Sequence, residues 1–285
     1  MRPSLLALDL DGTLLDTRGR PHEHDVRAVR AALTAGVSVT IVTGRLYSGT
    51  RASAAALGLS GPVGCADGSH VVQSGDHATL AHSGVSGAEG LHLRAALARA
   101  GLATFVFARD AIGHDDRGGE FVAYVRTWST DIRAVADVYQ HELWDAEEGV
   151  TAVVALGSRA SVLQAAGDLA RDLTKPVHLV QFPLRREPHV GTWAIMARAS
   201  GCTKGTALRW IAERQGVALK DVVCVGDWVN DLPMFEVAGR SFAMGQAPDD
   251  VKAHATDVLT ETSESGGGVA AAVARAFGIV PGARP

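Results

Sequence analysis

Residues 5–14 read Leu-Leu-Ala-Leu-Asp-Leu-Asp-Gly-Thr-Leu. Four apolar residues that stop at an acidic turn fit a strand buried on both faces, delivering its loop to the carboxyl edge of a parallel sheet. Three further runs end in the same way: residues 37–42 before Thr43, 63–66 before Asp67, and 222–225 before Gly226 and Asp227. Between the first two runs, Val26, Val29, Ala32 and Leu33 recur at helical spacing and Gly36 stops the pattern. Asp9 and Thr43 stand 34 residues apart, the length of one strand–helix–strand crossover. A helix over 206–215 leading into the strand at 222 makes a second crossover.

The middle of the chain has another rhythm. Strands are expected over 105–109 and 121–128, and again over 177–182 and 192–197, each pair joined without a helix. Such neighbours pair antiparallel. Helices over 89–100, 132–141 and 160–173 and a strand over 151–156 complete this part. The expected fold is α/β: a doubly wound, Rossmann-like parallel-sheet core from residues 1–83 and 198–285, with an α+β domain inserted at 84–197 that contains antiparallel strands.

The 285 residues are 47% hydrophobic and 20% charged, a globular mixture that can bury a core. A net charge of −4 offers no long-range attraction to nucleic acid or an anionic membrane, which leaves a small molecule as the expected partner. Cys65, Cys202 and Cys224 have no short pair spacing, so they are expected as buried thiols rather than a disulfide framework or a zinc site. The only apolar run near the amino terminus, residues 5–8, falls far short of the about 20 residues of a membrane span, and a cytoplasmic enzyme is the simplest expectation. Oligomeric state stays open, a homodimer included.

Four clusters carry chemistry. Asp9 and Asp11 sit two residues apart just past a strand, with Gly12 allowing a sharp turn. Thr43-Gly44-Arg45 offers a hydroxyl, backbone N–H groups and a guanidinium, all suited to phosphate oxygens. Lys204 stands where a helix begins, and a cation is disfavoured at a helix amino end unless an anion sits there too. Asp227 and Asp231, four residues apart with Asn230 beside them, would repel one another without a hard cation, and Mg2+ prefers such oxygens. Other features have plainer explanations. His22 and His24 lack a third ligand and are expected as solvated loop residues, the loop 114–117 is expected to face solvent, and Trp228 fits a site entrance and a packing contact equally well. Arg185 and Arg186 are better placed to grip a second anionic group of a substrate.

Taken together, DLDGT at 9–13, TGR at 43–45, TKG at 203–205 and GDWVNDLPM at 226–234 resemble the four motifs of the haloacid dehalogenase superfamily. The insert and the tail SFAMGQAPDDVKAHATDVL at 241–259 resemble its Cof-type sugar-phosphate phosphatase branch, whose insert is a cap domain. The resemblance implies an Mg2+-dependent phosphohydrolase acting on a small phosphorylated metabolite, a sugar phosphate by preference. It implies Asp9 as nucleophile, Asp11 as general acid and base, Thr43, Gly44, Arg45, Lys204 and Asn230 around the phosphate, and Asp9, Asp11, Asp227 and Asp231 around the metal. Asp67 stands where such sequences often have Asn, and Gln246 where they often have Asn; the implied core chemistry survives both. A phosphotransferase or mutase of the same superfamily, and a non-catalytic phosphate-binding module, are the alternatives. Transfer to a second hydroxyl would mark the former, and absence of turnover the latter.

Overall fold

The Leu5–Leu8 strand is buried along its whole length and runs parallel between Ser38–Ile41 and Val222–Gly226. Arg240–Ala243 and Asp257–Val258 extend the sheet, again in parallel, so the spatial order is 257–258, 240–243, 222–226, 5–8 and 38–41. Alternation along the strand turns Leu5 and Ala7 to one face. There they pack with Ala207, Leu208 and Ile211 of the Lys204–Arg214 helix and with Met234 and Phe235 of the Leu232–Val237 helix. The Glu23–Thr34 and Gly268–Phe277 helices pack on each other and are tied by buried Asp25, whose carboxylate accepts the Gly267 N–H at 2.9 Å and the Ala270 N–H at 2.8 Å.

This computed structural model describes residues 4–172, 177–184 and 188–280. They form two compact units, one of Met1–Arg45, Thr50–Ala81 and Thr203–Pro285, the other of Leu46–Gly49 and His82–Cys202. The second unit holds a six-stranded sheet in the order 177–183, 193–199, 152–157, 103–108, 111–114 and 132–134. All its neighbours are antiparallel except the last pair, which is parallel. The Gly87–Ala100 and Arg159–Asp172 helices bury Leu93, Leu97, Val162 and Leu169 in one cluster with Val106, Val153, Ala155 and Ile195 of the sheet. The α/β class, with a parallel core and a separate antiparallel sheet, is the one the sequence implies. Cys65, Cys202 and Cys224 are buried thiols outside any disulfide.

Five local expectations need correction. Residues 63–66 do not join the parallel sheet as a full strand: Pro62–Cys65 pairs antiparallel with His70–Gln73 and meets the core sheet at the isolated parallel bridge Val42–Gly64 and at the Thr40 hydroxyl, which donates to the Pro62 carbonyl at 2.8 Å. Residues 121–128 are not a strand, since Asp116–Phe121 is a 3-10 turn that runs into the Val122–Val125 helix. The strand partner of Ala103–Ala108 is instead Ala111–His114, reached by a two-residue turn at Arg109 and Asp110, both left-handed at φ 50° and 57°. Asp110 is fixed there by the Ser48 N–H at 2.8 Å. Residues 132–141 are not helical. Ile132–Ala134 is a strand beside Ala111–His114, and Asp137 then closes an Asx turn on the Tyr139 N–H at 2.8 Å. The loop 114–117 is partly internal: His114 and Asp115 are buried, and Asp115 pairs with Arg117. Arg185 and Arg186 lie outside the described residues.

Candidate active site

Parallel pairing sets the first group of residues. The Asp9 N–H still donates to the Val225 carbonyl at 3.1 Å, and Val42 N–H to Leu8 at 2.9 Å, so the loops at 9–13, 43–45 and 226–231 leave the same carboxyl edge of adjacent strands. Such an edge is where open α/β sheets bind ligands.

Lys204 reaches this edge from a different element. Thr203 caps the Lys204–Arg214 helix, its hydroxyl accepting the Thr206 N–H at 3.1 Å while Thr206 Oγ1 accepts the Thr203 N–H at 2.9 Å. Gly68 stacks against the same segment, since a Cβ at Gly68 would lie 2.3 Å from the Thr203 carbonyl. So held, Lys204 is 1% exposed and its ammonium donates to Asp9 Oδ1 and Asp231 Oδ1, each at 2.6 Å. The cation that is unfavourable at a helix start is thereby matched by two buried carboxylates.

Asp231 has no exposure at all, and its second oxygen accepts the N–H groups of Asp227 at 2.8 Å and Trp228 at 3.0 Å. It therefore fixes the loop that carries Asp227. Gly12 lies directly under the Asp227 carboxylate: its φ is +81°, and a Cβ there would come within 2.3 Å of Asp227 Oδ2. Thr13 Oγ1 donates to Asp227 Oδ1 at 3.4 Å.

The electrostatics follow from the count of charges. Asp9, Asp227 and Asp231 surround one ammonium, so this buried group carries an excess of negative charge. Burial pushes Asp9 well above the usual carboxylate range, with Lys204 opposing and Asp231 and Asp227 adding to the rise. Burial and the charge of Asp231 push Asp227 up to about 7. Burial works against the Lys204 ammonium, but Asp231 and Asp9 outweigh it and hold the group charged. One oxygen from each of the three acids lies within 4.8 Å of the others, and this is the one such cluster of His, Cys, Asp and Glu among the described residues. Hard oxygen donors with uncompensated charge fit a divalent cation of the Mg2+ kind.

Asp11 stands apart from that cluster. Arg45 grips both of its oxygens, Nε to Oδ2 at 2.7 Å and Nη2 to Oδ1 at 2.5 Å. The Asp11 side chain is 48% exposed and that of Arg45 only 12%. Thr43 is buried, its hydroxyl accepting the Arg45 N–H at 3.2 Å.

Two residues to which the sequence assigned no role also belong here. Ala66 and Asp67 are both left-handed, at φ 49° and 51°, a strain of about 1–3 kcal/mol each that proteins concentrate at functional sites. The turn presents the Asp67 carboxylate to Asn230 Nδ2 at 2.9 Å and sets it close to Gly44. The signal was available, because Asp followed by Gly marks a turn that tolerates φ > 0. Gln246 reaches Asp227 from the turn after Arg240–Ala243, and nothing in the linear sequence ties residues 19 positions apart.

Comparisons with known proteins show the family and the fold. A family model described as haloacid dehalogenase-like hydrolase matches residues 6–273. Pyridoxal phosphate phosphatase YbhA of Escherichia coli is 26% identical over 270 residues, covering 92% of this chain and 95% of the relative. A phosphoglycolate phosphatase of Methanothermobacter thermautotrophicus is 27% identical over 278 residues, 96% of this chain and 98% of its own. Among solved structures, a haloacid dehalogenase-like hydrolase from Bacteroides thetaiotaomicron superposes with a TM-score of 0.81 at 22% identity, covering 97% of this chain and 100% of that one. A sugar phosphatase of haloacid dehalogenase subclass IIB superposes with a TM-score of 0.76 at 20% identity, covering 97% and 100%.

Proposed function

The chain belongs to the haloacid dehalogenase-like hydrolase family and is a phosphatase, and from that premise we propose that it hydrolyses a small phosphate monoester of the sugar-phosphate class by way of a phosphoryl group carried on Asp9. The observation that carries the reading is the buried Lys204 ammonium held between Asp9 and Asp231 at 2.6 Å. A carboxylate attacks a phosphate dianion poorly because like charges meet, and a fixed cation beside the nucleophile removes that obstacle.

Lys204 occupies Oδ1 of Asp9 and so orients its other oxygen for attack on phosphorus. The bond from Asp9 to phosphorus forms as the ester oxygen leaves, and Asp11 gives that oxygen its proton. Asp11 then takes a proton from the water that attacks phosphorus, releasing phosphate and free Asp9. Both oxygens of Asp11 are engaged by Arg45 before substrate arrives; the incoming phosphate takes over the guanidinium, and the freed Asp11 carboxylate takes up from solvent the proton that it then gives to the leaving oxygen. Thr43, Gly44 and Asn230 complete the phosphate cradle. Asp9, Asp227 and the Asp11 carbonyl would hold Mg2+, with Asp231, whose oxygens are already committed to Lys204 and two N–H groups, supplying charge beside it. Bound there, Mg2+ would neutralise charge on the transferring phosphoryl group. Residues 84–197 are proposed as the cap that selects among leaving groups.

The test is release of inorganic phosphate from a panel of phosphorylated metabolites with Mg2+, ranked by kcat/KM. Stoichiometric phosphate from single substrates, abolished by exhaustive chelation, is expected. Turnover unaffected by chelation would remove the metal from the account, and phosphate moved to a second hydroxyl would replace hydrolysis by transfer.

A further inference from the structure

Gln246 sits in the tight turn that follows the Arg240–Ala243 strand, closed by the Ala247 N–H on the Met244 carbonyl at 3.0 Å. Its side chain is exposed, yet each polar atom is committed. Oε1 accepts the Ser263 N–H at 3.1 Å, while Nε2 donates to the Gly12 carbonyl at 2.5 Å and lies 3.4 Å from Asp227 Oδ2. The orientation of the amide is unambiguous on chemical grounds. The Ser263 N–H can only donate and the Gly12 carbonyl can only accept, so the oxygen must face Ser263 and the two amide hydrogens must face Gly12 and Asp227.

The surroundings make this arrangement rigid. The Ser263 segment is itself pinned to the loop after the first strand, because the Thr17 N–H donates to Glu264 at 2.7 Å and the His22 ring bonds the Ser263 carbonyl at 2.9 Å. Met244 N–H continues the sheet by donating to the Gly226 carbonyl at 3.0 Å. Gln246 thus bridges three pieces of chain: the turn at 12, the loop at 227 and the segment at 263. Asp227 receives Thr13 on one oxygen and Gln246 on the other, with Gly12 beneath it.

We propose that Gln246 is a positioning residue that holds the Asp227 carboxylate, through the Gly12 carbonyl and the Ser263 N–H, in the rotamer that receives a divalent cation. This rests on the proposed cation site at Asp9, Asp227 and the Asp11 carbonyl, with the charge of Asp231 beside it. Partners of this kind around metal ligands set affinity by roughly 10- to 100-fold, because an unheld carboxylate must be ordered when the ion binds.

Calorimetric titration with Mg2+ of the full-length wild type, Gln246→Ala, Gln246→Met and Asp227→Asn tests it. Met keeps the length and bulk of Gln and removes both donor and acceptor, and the exposed position leaves the core untouched in either variant. The expected result is Mg2+ binding to wild type that Asp227→Asn abolishes, and binding to both Gln246 variants weakened at least about tenfold. At saturating Mg2+ their substrate KM stays within about twofold of wild type, as a purely metal-directed effect requires. Mg2+ affinity within twofold of wild type in Gln246→Met overturns the proposal while leaving the cation site standing. Absence of Asp227-dependent Mg2+ binding in wild type overturns the site itself, and the proposal with it.

Discussion

Replacing Lys204 by Met keeps the volume of a side chain that is 1% exposed and removes the cation that Asp9 and Asp231 share. Both ion pairs are 2.6 Å long, and neither carboxylate is more than 5% exposed, so water cannot solvate what is left behind. Breaking a buried pair by deleting one partner costs about 3–5 kcal/mol. The loss is limited at low pH, where one of the crowded carboxylates takes up a proton instead. Removing a preorganised charge from the reacting group lowers kcat by roughly 10²- to 10³-fold. Mg2+ affinity should hold or rise, because a positive charge beside the ligands has gone. The assay is urea denaturation in chelator at pH 7 and pH 5, followed by phosphate release at saturating Mg2+. A stability loss under about 1 kcal/mol at pH 7, or turnover within about twofold of wild type, equal to ~0.4 kcal/mol, would show that the Lys204 ammonium is not the shared counter-charge of Asp9 and Asp231.

The remaining expectations concern the frame around that ammonium. Burial and Asp231 raise Asp227 from 3.8 to about 7, so the folded metal-free protein keeps a proton that the unfolded chain has lost. Stability then falls as pH rises through that window, by at most about 4 kcal/mol; a melting temperature in chelator that stays flat from pH 4 to 7 would contradict this. Gly12→Ala puts a Cβ 2.3 Å from Asp227 Oδ2 at a φ of +81°, and should cost more than about 1 kcal/mol while weakening Mg2+ binding in calorimetry. Thr203→Ala removes the cap that begins the Lys204 helix, with an expected loss of about 1 kcal/mol in urea denaturation and a fall in kcat larger than in KM.

The parts of the fold visible in the sequence are those in which local pattern and tertiary role coincide. Leu5–Leu8 is a buried strand because nothing but apolar side chains can be covered on both faces, and the acids that follow it must emerge at its end. Lys204 stood out for a physical reason, the misfit of a cation at a helix start, and the structure brings it against Asp9 and Asp231. Elsewhere a tertiary contact overrides the local pattern. Residues 121–128 are rich in β-branched and aromatic residues, yet the buried ones, Phe121 and Val125, are four apart, a helical interval. Residues 132–141 have an apolar spacing that suits a helix, but the edge of the Ala111–His114 strand captures Ile132–Ala134. The turn at Arg109 and Asp110 lacks the Asn-Gly signature of its type and depends on Ser48, remote in sequence. The contacts of Asp67 with Asn230 and of Gln246 with Gly12 join residues distant along the chain, so the linear sequence shows neither.

Asp11→Asn keeps the proposed nucleophile and removes the group proposed to protonate the leaving oxygen and activate water, so an ester whose leaving group needs no proton should load Asp9 and then stall. Quenching that variant during turnover of such an ester and mapping the phosphoryl group by mass spectrometry therefore shows which carboxylate carries it. The account predicts one phosphoryl adduct, on Asp9, absent when Asp9→Asn is added; an adduct on Asp11 in the wild type, or any adduct that persists in Asp9→Asn, would contradict it.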